Sequence, residues 1–523
     1  KKKIKLPKNI SNKAKFTSSL FIKSENSVDD NTFTFLNVPK QYDSKVNWLD
    51  ETMPKLWRYN LHYFDYLLEV NRSPSSKVNL IDSWIEHNPI GTGDGWEPYT
   101  ASLRIVNWIK YFSSLDNKEI KGSWLDSLAL QAAWLEKNIE YHILANHYLK
   151  NAKALVFSGV YFEGVDASRW LHKGLAIIKE EAAEQLLPDG GHYERSPMYH
   201  CIVTEDYLDF FNILSANNSA NQELIALIKA KIVKALAFLN NVTLPDGDIS
   251  LFNDAAFAIA PQPEQLYAYA QRLFGYSFER QFPKSAVIES CPDTGYYVIK
   301  NDKDMMIIDC GDVGPDYQPG HAHCDTLSYE LALNGQRIIV DSGVHDYENS
   351  ELRRYVRGTR AHNTVMIDNE EQSEVWGVFR VARRAKPVYA NINKVSEHSV
   401  RFSGAHDGYK RLQGEPMHER FIHYCNGNLW EVTDVIKGSG FHLCESFIHI
   451  HPDFSARLDD DSICLLDNTN SVIAIITINS ADQVSIEKGW YCPEFGKKFE
   501  NDVVVLQTKG NLPVTLAYTI HKQ

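Results

Sequence analysis

The chain has 523 residues, of which 44% are hydrophobic and 23% charged, and its formal net charge at neutral pH is −13. This is the composition of a globular chain rather than a disordered one, and the length suits two large or about three ordinary domains. The acidic balance argues against a nucleic-acid partner, which calls for a basic footprint, and no run reaches the ~18 apolar residues of a membrane span.

The N-terminus, KKKIKLPKNISNKAKF, is basic but lacks the apolar stretch of a signal peptide, so no leader is visible. Residues 1–50 are rich in polar side chains and read as an extended segment packed on a helical part. From 51 to 285, apolar residues recur at helical spacing, as in SWLDSLALQAAWLEKNIEYHILANHYLKNAKALVFSGVYF and NQELIALIKAKIVKALAFLNNV. PDG turns at 188–190 and 245–247 punctuate the helices, and GTGDGWEPY at 91–99 reads as a loop before a further helix. Near residue 285 the texture changes. GYYVIK, DMMIIDCGD, TLSYELALNGQRIIVDSG, HNTVMIDN, SVIAIITIN and NDVVVLQT are strand-like runs separated by Gly, Asn and Asp turns. Strands without intervening helices predict an antiparallel sandwich over 286–523. The eight cysteines include no CxxC pair and read as buried free thiols.

Three clusters carry candidate catalytic or metal-binding chemistry, and a fourth is basic. Asn146 and His147 are adjacent and offer an amide donor and an imidazole to one ligand, with a structural histidine as the alternative. In PDGGHYERSPMYH, His192, Tyr193, Glu194, Arg195, Tyr199 and His200 follow a tight turn. Tyr199 there suits proton transfer if a nearby cation lowers its pKa, and an aromatic cap on a helix pair is the alternative. In HAHCDTLSYELALNGQRIIVDSG, His321 and His323 stand two apart, so on a strand they face one side. Two neutral imidazoles and a carboxylate, His323, Asp341 and His362, suit a structural divalent ion, foremost zinc, with manganese or calcium as alternatives. His321 is then left to face substrate. Arg353, Arg354, Arg357, Arg360, Arg380, Arg383 and Arg384 form a guanidinium cluster that suggests an anionic ligand, or else a solvated face balanced by Glu370, Glu371 and Glu374.

The segments LWRYNLHYFDYL, WEPYTASLRIVNWIK, NHYLKNAKALVFSG, DGGHYERSPMYH, HAHCDTLSYELALNGQRIIVDSG and RAHNTVMID, in order from about residue 56 to 370, resemble the heparinase II/III superfamily of polysaccharide lyases. The resemblance implies an incomplete (α/α) toroid over 51–285 followed by the sandwich. It also implies β-elimination on uronic-acid glycosaminoglycans of hyaluronan, chondroitin or heparan type, leaving 4,5-unsaturated uronates. It assigns catalysis to Asn146, His147, Tyr199 and His321, the ion to His323, Asp341 and His362, and substrate contact to Tyr347, Arg353 and Arg357. Asn146 would stabilise the charge on the uronate carboxylate, and Tyr199 or a histidine would take the C5 proton. Trp96, Glu97 and His192 are further substrate-binding candidates. For Trp57, Tyr59, His62, Tyr63, Trp96 and Tyr99 packing within the toroid competes with stacking on sugars. Glu97 is expected to pair internally with Arg104, with substrate contact as its alternative. The partner implied is an anionic polysaccharide, and the location implied is periplasmic or secreted, with the cytoplasm as the alternative. The oligomeric state stays open. Other readings are an alginate or bacterial exopolysaccharide lyase, a hydrolase using Asp189 and Glu194, and a non-catalytic polysaccharide-binding or capsule-assembly protein.

Overall fold

The structure is a computed structural model, and it describes residues 15–16, 31–43, 45–459 and 462–523. Much of the extended segment expected over 1–50 therefore lies outside the described residues. Its described part includes a hairpin in which Thr32–Phe35 pairs with Val38–Gln41. The chain divides into two compact units. The first comprises Lys1–Leu186, Ile202–Val233 and Gln265–Ser277, and the second Leu187–Cys201, Lys234–Glu264 and Phe278–Gln523.

The first unit is helical. Helices Pro74–His87 and Pro98–Phe112 each open on a proline, whose fixed φ suits the first turn and whose missing N–H has no partner to lose there. Ser73 caps the first of them, accepting from the Ser76 amide at 3.1 Å. Apolar positions at helical spacing bury a chain of rings. Trp84 meets Trp108 edge-on at 5.6 Å, and Phe112 stacks on Trp124 at 5.4 Å. Helices Ala145–Tyr161 and Val165–Glu184 approach so closely that a Cβ on Gly159 would sit 2.5 Å from the Leu171 amide nitrogen.

A buried charge network also ties this unit together. Lys153 Nζ lies 2.8 Å from Asp206 Oδ1 and 2.6 Å from Asp209 Oδ2. Lys150 adds a second ammonium on Asp206 at 2.7 Å, and Lys110 one on Asp209 at 2.6 Å. Tyr269 donates its hydroxyl to Asp209 Oδ1 at 2.8 Å. Burial alone would raise the Asp209 pKa, but Lys110 and Lys153 outweigh it and hold the acid ionised.

Among the described residues the second unit carries three larger sheets, all antiparallel, and one two-stranded hairpin. One has five strands, Val287–Cys291, Tyr296–Asn301, Asp304–Asp309, Tyr329–Leu333 and Gln336–Ile339, in sequence order. A second has eight strands, with Leu429–Lys437 and Val514–Lys522 at its centre, and a third has four around Phe441–His449 and Phe499–Asn511. Alternation buries one face of each strand, as at Trp430, Val432 and Ile436, and inner side chains of all three sheets share one apolar core. Helices first and antiparallel sheets after them is the order expected from the sequence. The eight cysteines are unpaired, and all but Cys425 are buried.

Asp434 is the polar exception on its strand. It takes both arms of the buried Arg420 at 2.7 and 2.8 Å, and Arg420 in turn donates to the Leu327 and Asn363 carbonyls. Removing one partner of such a set strands the others without water. By the same reasoning Asp209→Ala is expected to destabilise the protein by about 3–5 kcal/mol. Asp166→Ala, which breaks a solvent-exposed pair with Arg169, should cost less than about 1 kcal/mol. Melting temperatures of the two variants provide the comparison, and equal shifts would contradict it.

Candidate active site

The centre of the second unit's polar cluster is a residue the sequence reading did not single out. Asp254 is fully buried, and its carboxylate faces three partners. His321 Nδ1 lies 2.9 Å from Oδ2, and His323 Nε2 lies 2.8 Å from Oδ1. Arg353 clasps both oxygens, with Nη2 at 2.9 Å from Oδ2. Burial pushes this carboxyl's pKa up, but Arg353 and the two imidazoles overcome it and hold the pKa well below the ordinary carboxylate value. Asp254 is the single charge in the run ISLFNDAAFAIA, and that isolation was the available sequence signal.

Local backbone geometry aims the cluster. Asn253 adopts a left-handed φ of 58°, its side chain accepts the His323 amide at 3.0 Å, and the Asp254 amide donates to the His321 carbonyl at 2.9 Å. The HAH segment is therefore a loop held by side chains, not the strand expected from its spacing, yet both imidazoles still reach one carboxylate. Arg195, also left-handed at φ 57°, ends the turn before helix Pro197–Ala216. Ser196 Oγ then donates to the Asp254 carbonyl at 2.7 Å and accepts the Tyr199 amide at 3.3 Å.

Tyr199 stands in the first turn of that helix. Its ring stacks on His321 at 4.0 Å between centroids, and its hydroxyl lies 3.2 Å from the Tyr347 hydroxyl. His321 Nε2 lies 3.4 Å from Glu194 Oε2, so both of its ring nitrogens face carboxylates. The Arg353 guanidinium sits 5.0 Å from the Tyr347 ring centre. Arrayed here are a phenol pair, an imidazole fixed between two acids, and a buried cation.

Beside this cluster His323, Asp341 and His362 each bring a donor atom within 4.8 Å of the others. His362 Nδ1 is 2.7 Å from Asp341 Oδ2. Gly343, at φ 67°, turns the chain just after Asp341, where a Cβ would lie 2.4 Å from the Cys492 carbonyl oxygen. Two buried ring nitrogens, His323 Nδ1 and His362 Nε2, have no hydrogen-bond partner among the described residues. Burial lowers the His323 pKa to about 4 and keeps that imidazole neutral, as a metal ligand must be. Orphaned imidazole nitrogens next to a carboxylate fit a divalent ion.

In the first unit, Leu144 and Ala145 have φ of 61° and 55°, strained values for such residues, at the start of the helix bearing Asn146 and His147. His147 Nδ1 lies 3.1 Å from Glu140 Oε1, and its ring packs on Tyr99 at 4.3 Å. Glu140 is anchored by Asn151, which donates to its Oε2 at 3.0 Å and accepts its amide at 2.9 Å. Asn146 is buried in the same turn. Glu140 was also absent from the sequence reading.

Other expectations need correction. Arg353 and Arg357, read as substrate contacts, are each 1% exposed and serve internal partners. Arg357 donates to the Ala322 carbonyl at 3.2 Å and to the Gly377 carbonyl at 3.1 Å. Trp96 packs at 5.8 Å from Trp84, and His192 is buried against Tyr193 at 5.1 Å. The expected Glu97–Arg104 pair does not form. Glu97 meets Lys55 at 3.2 Å and accepts the Tyr59 hydroxyl, while Arg104 donates to Gln131 at 2.8 Å and lies 3.9 Å from the Trp84 ring centre. Packing had a closer claim on these side chains than solvent. Glu97 and Tyr347 keep partly exposed side chains.

Family profiles described as "Heparinase II/III N-terminus" and "Heparinase II/III-like, C-terminal" match residues 8–282 and 283–517. Among curated relatives, a heparin-sulfate lyase of Pedobacter heparinus is 25% identical over 56% of this chain and 48% of its own length. A heparin-sulfate lyase of Bacteroides thetaiotaomicron is 24% identical over 71% of this chain and 57% of its own. The chain thus spans about half the length of the curated relatives it matches. A crystal structure of heparinase III superposes with a TM-score of 0.71 at 20% identity, covering 92% of this chain and 79% of that one. The likeness carries the fold, an (α/α) toroid followed by an antiparallel β-sandwich.

The donor set predicts about one divalent ion per chain. His362→Ala should lose that ion and melt several degrees lower, and a strong chelator should lower wild-type melting similarly while leaving the variant where it is. An ion-free wild type indifferent to chelator would remove the ligand assignment.

Proposed function

The chain belongs to the heparinase II/III family, and on that premise we propose that it is a polysaccharide lyase that cuts heparin- and heparan-sulfate-type chains beside uronic acid by β-elimination. The observation that carries this reading is the Tyr199 hydroxyl, bonded to Tyr347 at 3.2 Å while its ring lies on His321. Elimination needs a base for the C5 proton, neutralisation of the adjacent carboxylate as charge develops on it, and a proton for the glycosidic oxygen as it leaves C4. A positioned phenol serves the last of these and, for one C5 epimer, the first. His321 has Nδ1 on Asp254 and Nε2 3.4 Å from Glu194, an arrangement that suits it to position the phenol.

Asn146 and His147 belong to the other unit, and the roles proposed for them rest on their chemistry. The amide offers donors to a carboxylate, a kind of contact worth ~3–4 kcal/mol in a transition state. Glu140 holds His147 Nδ1, which leaves Nε2 as the basic nitrogen and suits that ring to the C5 proton of the opposite epimer. Hydrolysis fits less well. Asp189, one of its two candidate acids, is occupied in accepting the Thr294 amide and hydroxyl, each at 2.7 Å, and the Gly191 amide at 3.1 Å.

The ion proposed at His323, Asp341 and His362 is zinc, given two imidazoles and one carboxylate. When bound it supplies a fixed positive charge that holds the HAH loop, and no step of the elimination runs through it. The heparan preference follows the names of the relatives, and an anionic polymer also suits an arginine-rich segment.

The test is a panel of heparin, heparan sulfate, chondroitin sulfate, hyaluronan and alginate, read by the ultraviolet absorbance of the new 4,5-double bond. Release is expected from the heparin-type polymers, and silence on every polymer would overturn the reading. Tyr199→Phe should fold and bind polymer yet lose roughly 10²–10⁴-fold in turnover. Undiminished release by that variant would leave the phenol without a role.

A further inference from the structure

Two short strands of the second unit, Val375–Trp376 and Arg380–Val381, form a hairpin in which Trp376 stands directly opposite Arg380. Trp376 is 61% exposed and is the one exposed tryptophan among the described residues; six of the other ten are buried almost completely. Water-facing indole is an expense a fold avoids unless something covers it. Arg380 is exposed as well. Several arginines near it in sequence are neutralised: Arg360 by Glu487 at 2.5 Å, Arg383 by Glu374 at 3.7 Å and Arg384 by Asp316 at 3.5 Å. Among the described residues Arg380 has no ion-pair partner.

The hairpin is not a loose loop. Arg353 Nη2 donates to the Val378 carbonyl at 2.9 Å, and Arg357 reaches the Gly377 carbonyl at 3.1 Å and the Arg380 carbonyl at 3.3 Å. The same Arg353 guanidinium clasps Asp254, which holds His321. At the hairpin's turn, Phe379 lies 5.0 Å from the Tyr347 ring and 5.9 Å from the His321 ring. The exposed pair is thus fixed to the reacting groups by two buried cations and an aromatic contact.

We propose that Trp376 and Arg380 form a saccharide subsite for the anionic chain, the indole stacking on the apolar C–H face of one pyranose and the guanidinium forking an oxyanion carried by that sugar or its neighbour. This rests on the lyase reading and specifies how its substrate is gripped. A planar ring supplies contact area at little entropic cost, and a guanidinium matches the geometry of both sulfate and carboxylate. Pairing the two across one hairpin suits a polymer whose rings are apolar on their faces and charged at their edges.

The experiment compares wild type with Trp376→Ala, Arg380→Gln and Phe441→Ala. Phe441 is a second ring 61% exposed, at the start of strand Phe441–His449, and serves as a control. Substrates are heparin and its fully desulfated, N-acetylated form. Trp376→Ala is expected to raise KM about tenfold on both polymers, with kcat altered by no more than about twofold. For Arg380→Gln, a KM rise confined to heparin identifies sulfate as its partner, and an equal rise on both identifies the uronate carboxylate. Unaltered KM in both hairpin variants, or an equal rise in the Phe441 control, would overturn the subsite. Calorimetric binding of a heparin hexasaccharide to the same four proteins, each also carrying Tyr199→Phe, reads the subsite without turnover. If the wild type made no unsaturated product, the lyase reading would fail while the subsite was still decided by whether the two hairpin variants lose heat of binding.

Discussion

A carboxylate with no access to water organises the second unit's site. Ionised Asp254 in an apolar surround would be untenable alone, since burying a lone charge costs several kcal/mol even after relaxation. Its position is sustained because Arg353, His321 and His323 each bring a donor to it. That demand works in both directions. The acid needs its three partners, and the partners, drawn from the HAH loop and from helix Glu351–Arg357, lose their freedom to turn away from it. One interaction therefore sets the ring that lies under Tyr199, the imidazole offered to an ion, and the guanidinium that grips the Val375–Val381 hairpin.

The first unit repeats the device on a smaller scale. Glu140 holds His147 as Asp254 holds His321, and Asn151 holds Glu140 in turn. At His147 the acid behind the imidazole selects which nitrogen is presented, the relation by which outer partners govern the chemistry of a ring. Strained backbone accompanies these pairs: left-handed Leu144 and Ala145 before Asn146, Arg195 before Tyr199, and Asn253 before Asp254. Each costs of order 1–3 kcal/mol and persists only where packing over-determines it. The helices of the first unit and the shared sheet core of the second provide that packing.

The sequence made the architecture legible because period 3.6 and period 2 are written in which residues are apolar, and the change near residue 285 is abrupt. It also made legible the residues whose chemistry is rare in a given context, such as HAH with a strand-end aspartate. Less legible was which charges face inward. Arg353 and Arg357 sit in a dense basic stretch, and density alone does not distinguish an arginine that meets a ligand from one that neutralises a buried acid far away in sequence. Asp254 is 99 residues from Arg353 and 67 from His321, so no local pattern links them. Glu97 and Arg104 are close along the chain, yet Lys55 and Gln131 claimed them, because helix faces rather than sequence distance decide neighbours.

The central claim is that the negative charge of Asp254, not merely its shape, holds the site in working order. Asp254→Asn keeps the size and planarity of the side chain and removes the charge. Turnover of heparan sulfate by this variant, measured beside its melting temperature and its hexasaccharide affinity, is the most direct test. A fall in kcat of about 10–100-fold in a protein that still folds and binds is the predicted result. Wild-type turnover from the asparagine variant would contradict the account.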